Sequence, residues 1–367
     1  MTNRRVMSCA AMVSATALLL AVVPSVGAQS PAASPSGKVL AVKAVYSSVI
    51  EEPWDGVIHA ALESEAAAGH ITHTYTDGVG YDGQMEFVLR EVAETEHPDI
   101  IFGDSFGNEE AVRKVAADYP DIPFVFGSGG GPAEPNFSVF DNWIHEPAYL
   151  AGMLAGGLTQ TGTVGVVAGY PVPEVDRITN AFIAGAQAQN AAVEVKVTFI
   201  NSWFDPATAK EAALAQIGAG ADVLYAERAG VIEAAAEQGV LAIGNMSDQS
   251  ADAPDSVITS VTWNMTPTVD YVVDQVLAGS YTSQDLKDFS MFGKGGAALA
   301  PINMAVVAAL PGNCPPVADA SPAASPAACT GQDVIDAVMA QEAQITSGVF
   351  RVDINESQPA GSTVVGQ

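Results

Sequence analysis

Along most of the chain, short unbroken apolar runs alternate with longer stretches in which apolar residues recur every three or four positions. Runs of the first kind read as strands buried on both faces, and stretches of the second as amphipathic helices. From Lys38 the pattern predicts strand 39–46, helix 54–68, strand 71–75, helix 81–96, strand 99–102, helix 109–118 and strand 123–126. After a break near Asn142 a second set follows: helix 148–158, strand 163–168, helix 174–190, strand 193–200, helix 206–217, strand 223–226, helix 231–238, and strands 241–244 and 257–261. Helices 267–277 and 334–344 come last, with Asp333 as a cap of the final one and a loose tail from Asn355. Strands joined by helices imply parallel sheets with right-handed crossovers. The fold class is therefore α/β, with two Rossmann-like lobes. One lobe takes residues 38–142 with about 264–285, the other 143–262 with about 286–310, and a C-terminal extension covers 311–367.

The sharpest local signal is Val195-Lys196-Val197-Thr198-Phe199-Ile200-Asn201-Ser202-Trp203-Phe204-Asp205-Pro206. The first six residues read as a strand. Asp205 suits the N-cap of the next helix and Pro206 its first turn, where a missing N–H costs nothing. Trp203 and Phe204 are thereby placed on a loop at the carboxyl end of a strand, the edge at which open α/β sheets bind ligands. Trp54, Phe106 and Asp248 fall at other strand ends of the same kind. Two rings from opposing lobes can clamp a flat heterocycle, each pair adding about 0.5–1.5 kcal/mol beyond area burial. A nearby carboxylate can accept hydrogen bonds from ring N–H groups or sugar hydroxyls. Rings at such positions also serve simply to cover the end of a sheet.

Charge narrows the partners. A formal net charge of −28 over 367 residues excludes electrostatic binding to nucleic acid or to an anionic membrane surface. Residues 1–28 read as a signal peptide: Arg4 and Arg5, an apolar run over 6–23, and Val26-Gly27-Ala28 as a small-residue cleavage site. A retained membrane anchor is the alternative, since the run is near the lower limit for spanning a bilayer. No cysteine follows the run to carry a lipid, and residues 29–37 form a Pro/Ala/Ser linker. Cys314 and Cys329 bracket a Pro/Ala/Ser loop, which in an exported chain suggests a disulfide. Closing a loop of that size stabilises by roughly 3 kcal/mol in the chain-entropy model.

Catalytic and cofactor signatures are missing from the sequence. Gly127-Ser128-Gly129-Gly130-Gly131 follows a strand, but Pro132 comes next and no Lys-Ser/Thr appears, so it reads as a surface or lobe-crossing loop rather than a phosphate loop. The histidines at 59, 70, 73, 97 and 145 show no close helical pair for a metal. Glu51-Glu52 and Glu109-Glu110 read as solvated or helix-dipole carboxylates. Neither a cofactor, a metal nor a catalytic residue is expected.

Several segments together resemble the basic membrane protein (BMP) family of substrate-binding proteins: Val172-Pro173-Glu174-Val175-Asp176-Arg177-Ile178-Thr179-Asn180-Ala181-Phe182 with Gly185-Ala186, Asn201 through Pro206, Tyr149-Leu150-Ala151-Gly152, Gly220-Ala221-Asp222-Val223, and Ser247-Asp248-Gln249 with Ala253-Pro254. The resemblance covers about residues 38–303. It implies a type I periplasmic-binding-protein architecture, located outside the cytoplasmic membrane and serving the permease of an ABC importer. It further implies a monomer that captures a purine nucleobase or nucleoside such as adenine in the cleft between the lobes. Carried over by motif, Trp54 would stack on the base, Ser105-Phe106-Gly107 would match the family's loop after the third strand, Trp203 and Phe204 the aromatic loop of the second lobe, and Asp248 the late aspartate. Glu227 and Lys294 are weaker candidates. The chain departs from the family at Glu51-Glu52-Pro53-Trp54 and at Glu227-Arg228-Ala229, where the ligand contacts are expected to differ. A secreted nucleoside-processing enzyme and a ligand sensor of the same fold are the competing expectations.

Overall fold

The structure, a computed structural model, describes residues 37–315 and 329–366. The expected signal peptide, most of the linker and the middle of the Pro/Ala-rich loop lie outside them. Among the described residues no helix is long and apolar enough to cross a membrane.

The first sheet has five parallel strands in the order β2 (Ile71–Thr76), β1 (Leu40–Val45), β3 (Ile100–Asp104), β4 (Phe124–Gly127) and β5 (Phe137–Phe140). Helices α1 (Pro53–Ala67), α2 (Gln84–Thr95) and α3 (Glu109–Asp118) make its crossovers. The second sheet has seven strands in the order β11 (Ala297–Leu299), β10 (Val257–Trp263), β9 (Leu241–Met246), β8 (Val223–Ala226), β6 (Thr163–Ala168), β7 (Glu194–Phe199) and β12 (Thr363–Val364). All of its pairings are parallel except that of β11 with β10. Its helices are α4 (His145–Leu158), α5 (Pro173–Gln189), α6 (Pro206–Gly218) and α7 (Val231–Gln238). Helix α8 (Thr266–Leu277) returns to pack on α1, α9 (Met304–Val307) touches β10, and α10 (Gly331–Thr346) packs on α4.

Two-sided burial explains the apolar runs. In β1, Leu40, Val42 and Ala44 enter the large central core while Val45 enters the core under α2 and α3. In β6, Val164, Val166 and Ala168 face the central core and Val167 the cluster under α6 and α7. Each sheet is thus covered on both faces, as parallel strands require. Three segments carry the chain between the sheets: residues 141–144 between β5 and α4, residues 264–265 between β10 and α8, and residues 287–296 before β11. The first includes Asn142, fully buried. Cys314 and Cys329 are joined in a disulfide with Cα atoms 5.9 Å apart.

Several expectations need correction. Strand β5 was not expected: four residues following a loop without a helix give no periodic signal, yet it pairs in register with β4. Helix α2 starts at Gln84 rather than 81, because Gly83 sits at φ 82° and breaks the helical path. Thr330, not Asp333, caps α10; Asp333 returns the bond to the Thr330 N–H at 2.8 Å in a reciprocal capping box. The tail is not loose. Thr363 and Val364 add a strand to the edge of β7, and Asn180 Nδ2 donates to the carbonyls of Asn355 and Ser357 at 2.9 and 2.7 Å. Polar composition hid this, since an edge strand is held by backbone pairing rather than by an apolar pattern.

Helices α4 and α5 approach closely through glycine. A Cβ on Gly152 would run into the Phe182 carbonyl, and one on Gly185 into the Tyr149 carbonyl. Alanine is normally the better helix former by about 1 kcal/mol. Here Gly185→Ala should instead destabilise by about 2 kcal/mol, because backbone must move to admit the methyl. Urea unfolding of the two proteins measures the difference; a variant as stable as its parent would mean that the helices can part without cost.

Candidate functional site

Between the carboxyl ends of the two sheets lies a narrow cavity of about 20 Å³, far below the ~300–1,000 Å³ typical of small-molecule sites, so the lobes must part to admit a guest. The first lobe contributes Glu52, Trp54, Tyr81, Asp104, Phe106 and Ser128; the second contributes Glu174, Trp203 and Arg228. Beside it lies a wider groove lined by Phe106, Ser128 and Glu174 again, and by Asp141, Arg177 and Glu356 of the docked tail.

Local structure sets each of these side chains. Glu52 is the N-cap of α1, its Oε2 accepting from the N–H groups of Trp54 and Asp55 at 2.9 and 3.1 Å. That cap and Pro53 start the helix so that Trp54 lies in its first turn. The Trp54 indole packs flat against Phe140, 5.7 Å between centroids, and tilted against Trp263 at 5.1 Å. It also lies over Gly127, where any Cβ would collide with it. Asp104 ends β3, and its Oδ1 accepts from the Phe106 N–H at 2.9 Å, turning the Phe106 loop toward the cleft. In the second lobe Asp205 Oδ1 accepts from the Thr208 N–H at 3.0 Å and caps α6, which holds Trp203 on the loop before it.

Besides the Trp54–Trp263 packing, two contacts join the lobes here. Phe106 meets Trp203 edge to face, 4.9 Å between centroids at 88°. Arg228, buried at the end of β8, donates from Nη1 to Glu52 Oε1 at 2.8 Å and to the Trp203 carbonyl at 2.8 Å. Its Nη2 and Nε reach the two oxygens of Glu227 at 2.6 and 2.9 Å. Glu227 also accepts from the Gly169 N–H at 2.9 Å. Fork-like pairing of this kind makes burial of a guanidinium tolerable.

The remaining carboxyls lack such partners. Burial pushes Asp104 up to about 7, helped by the charge of Glu52. Burial and the neighbouring Asp141 hold Glu174 well above the usual carboxylate range. Behind the wall, burial and then Asp104 raise Asp55 in the same direction. Glu52 itself is raised by burial, with Arg228 opposing. Arg228 is the one cation among the described lining residues and its donors are already committed, so the cavity offers acceptors and protonated carboxyls, not a free positive charge.

Of the residues expected at the site, Trp54, Phe106 and Trp203 line the cavity. Trp54 and Trp203 are not each other's partners: Phe106 meets Trp203 across the lobes, and Trp54 meets Trp263 at the end of β10 and Phe140 in its own lobe. Ser105 is fully buried and donates its hydroxyl to the Gly127 carbonyl. Phe204 points outward, 42% exposed, because the chain turns at once into α6. Glu227 is spent on Arg228. Asp248 is exposed in a separate depression beside α1, where it accepts from the Ser250 N–H at 3.0 Å. Lys294 is exposed over the Phe289 ring. Sequence reasoning missed Glu52, Tyr81, Asp104, Ser128, Glu174 and Arg228. The one available signal was a charged residue at or just past the end of an apolar strand, as in Asp104 and Arg228.

Residues 40–287 match the model of the family described as ABC transporter substrate-binding protein PnrA-like, Bmp. The chain belongs to this family. A purine-binding protein of Brucella abortus (strain 2308) is 32% identical over 60% of the chain and 63% of its own length. A putative ABC transporter glucose-binding protein of Haloferax volcanii, TsgA13, is 35% identical over 56% of the chain and 53% of its own length. The chain therefore spans between about half and two thirds of these curated relatives. The solved structure of an ABC transporter system solute-binding protein from Conexibacter woesei DSM 14684 covers 86% of the chain and 99% of its own, with a TM-score of 0.64 at 23% identity. That likeness is one of fold, the two-lobed type I periplasmic-binding architecture that the family shares.

The raised carboxyl of Asp104 has a stability consequence. Unfolded, the group loses its proton near 3.8; folded, near 7. Between those values the folded chain binds the extra proton, so stability falls as pH rises through the window, by on the order of 1.4 kcal/mol per pH unit for this group. In Asp104→Asn that contribution is gone. Urea unfolding of ligand-free protein at about pH 5 and pH 7 should show a shallower fall in the variant, and an equal fall would show that Asp104 titrates normally.

Proposed function

We propose that the chain captures a purine nucleobase or nucleoside outside the cytoplasmic membrane and delivers it to the permease of an ABC importer. One observation carries the reading: a cavity between two lobes combines four aromatic side chains with several carboxyls around a single, fully paired guanidinium. A flat heterocycle gains from the faces and edges of Trp54, Phe106 and Trp203. Its ring N–H groups, exocyclic amine and any ribose hydroxyls find acceptors in Glu52, Asp104 and Glu174, and a protonated Asp104 can donate to a ring nitrogen. Phosphate finds no free cation and a surplus of acidic groups, so nucleotides are disfavoured relative to nucleosides. The name of the Brucella relative points the same way, and that of the Haloferax relative makes a hexose the competitor to exclude.

Calorimetric titration of the purified chain with adenosine, guanosine, adenine, adenosine monophosphate and glucose tests this. Nucleoside or base should bind, the monophosphate at least about tenfold more weakly, and glucose not at all. Trp203→Ala should raise the nucleoside Kd by about fivefold or more, in line with about 1–3 kcal/mol for a base stacked on an aromatic. Saturable glucose binding without a purine response would refute the reading. Release of free base during incubation would make the protein an enzyme instead.

A further inference from the structure

Away from the cleft, on the outer side of the first lobe, three metal-ligating side chains converge. His59 and Glu63 lie four residues apart on α1 and so project from one face of the helix. His73 comes from the adjoining strand β2. Its Nε2 lies 3.3 Å from His59 Nδ1 and 3.7 Å from Glu63 Oε1, and the three candidate ligand atoms all fall within 4.8 Å of one another. His73 is fully enclosed, while the Glu63 side chain is 56% exposed. We propose that His59, Glu63 and His73 form a zinc-binding site.

The geometry fits the ion. Zinc–nitrogen bonds of about 2.0–2.1 Å in a tetrahedron put neighbouring ligand atoms about 3.3 Å apart, the spacing found between the two imidazoles. Two imidazoles and one carboxylate suit zinc and its first-row neighbours, whereas magnesium and calcium call for oxygen ligands. Glu63 borders solvent, which supplies access and a water for the fourth position. The rings are held in place: Tyr75 packs 4.5 Å from His59 and 6.1 Å from His73, and Tyr46 meets His59 edge to face. His73 is the register partner of Val42 on β1; its Nδ1 is buried without a hydrogen-bond partner, so packing rather than an outer hydrogen bond holds this ring. The overall charge of −28 raises the local concentration of divalent cations. Zinc here would tie α1 to β2, and α1 is the helix whose cap and first turn supply Glu52 and Trp54 to the cleft. The site is independent of the ligand proposed for that cleft.

The test is metal content after the full chain is stripped with chelator and dialysed against zinc. The wild type should hold one equivalent, show a higher melting temperature with zinc than without, and give the intense visible bands of a tetrahedral site when loaded with cobalt. His59→Ala, at a partly exposed position, should lose the equivalent and the cobalt bands. Glu63→Gln should weaken zinc by about tenfold or more. Circular dichroism of both variants checks that they fold. No bound zinc in the wild type, or an equivalent that persists in folded His59→Ala, would overturn the proposal.

Discussion

Arg228 and Glu52 form the ion pair on which the cleft is built, and each has a second tie within its own lobe. Glu52 caps α1 through its other oxygen, and Arg228 is gripped by Glu227 and the Trp203 carbonyl. Neither group therefore depends on the other for its local structure. If the lobes part, the carboxylate keeps two backbone donors and the guanidinium keeps a carboxylate, so no charge is left buried and unpaired, the state that costs most. A cross-lobe bond between groups already satisfied locally can form and break at small net cost. A cleft that must admit and release a guest needs such a contact, whereas a wholly interlobe salt bridge would hold the lobes shut.

The same arrangement sets the electrostatic character of the cavity. With Arg228 committed, no cation counters the burial of Asp104, and the charge of Arg177 only partly opposes that of Glu174, so burial favours their protonated forms. A neutral, hydrogen-bonding guest is compatible with this environment; an anion is not. Arg177, the other buried guanidinium near the groove, is likewise taken up, by Asp141 and by Glu356 of the docked tail at 2.7 Å each. Both arginines thus serve structure first.

How much of this was legible in the chain follows from what makes a pattern. Strands such as 163–168 and 223–226 were readable to the residue because both faces are buried and the apolar run is unbroken. The Asp205-Pro206 helix start was readable because capping is local chemistry. The Gly152 and Gly185 positions stood in segments recognised by resemblance, and the close α4–α5 contact gives the physical reason for glycine there. Glu52 and Arg228 lie 176 positions apart, and no local rule connects them. Tyr81 was assigned to a helix, and only the left-handed turn at Gly83 frees it for the cleft. Asp248 lies apart from the cavity for the converse reason: it follows a strand end like the others, but β9 lies far enough along the second sheet that its loop opens beside α1 instead.

Trp54 shows where position and partner come apart. Strand-end placement put its ring in the cavity wall, but the packing of that ring is decided by β5, β10 and Gly127, elements far away in sequence. Braced on Phe140 and Trp263, the indole is held in one orientation before any ligand arrives, which reduces the entropy lost on binding. Its Nε1–H is buried without an acceptor, and an orphaned donor of this kind costs about 1–3 kcal/mol. A guest that brings a ring nitrogen or carbonyl oxygen within reach would recover that cost. A purely apolar guest would not, so under the proposed function the same residue would contribute both a rigid surface and a preference for heterocycles that carry acceptors.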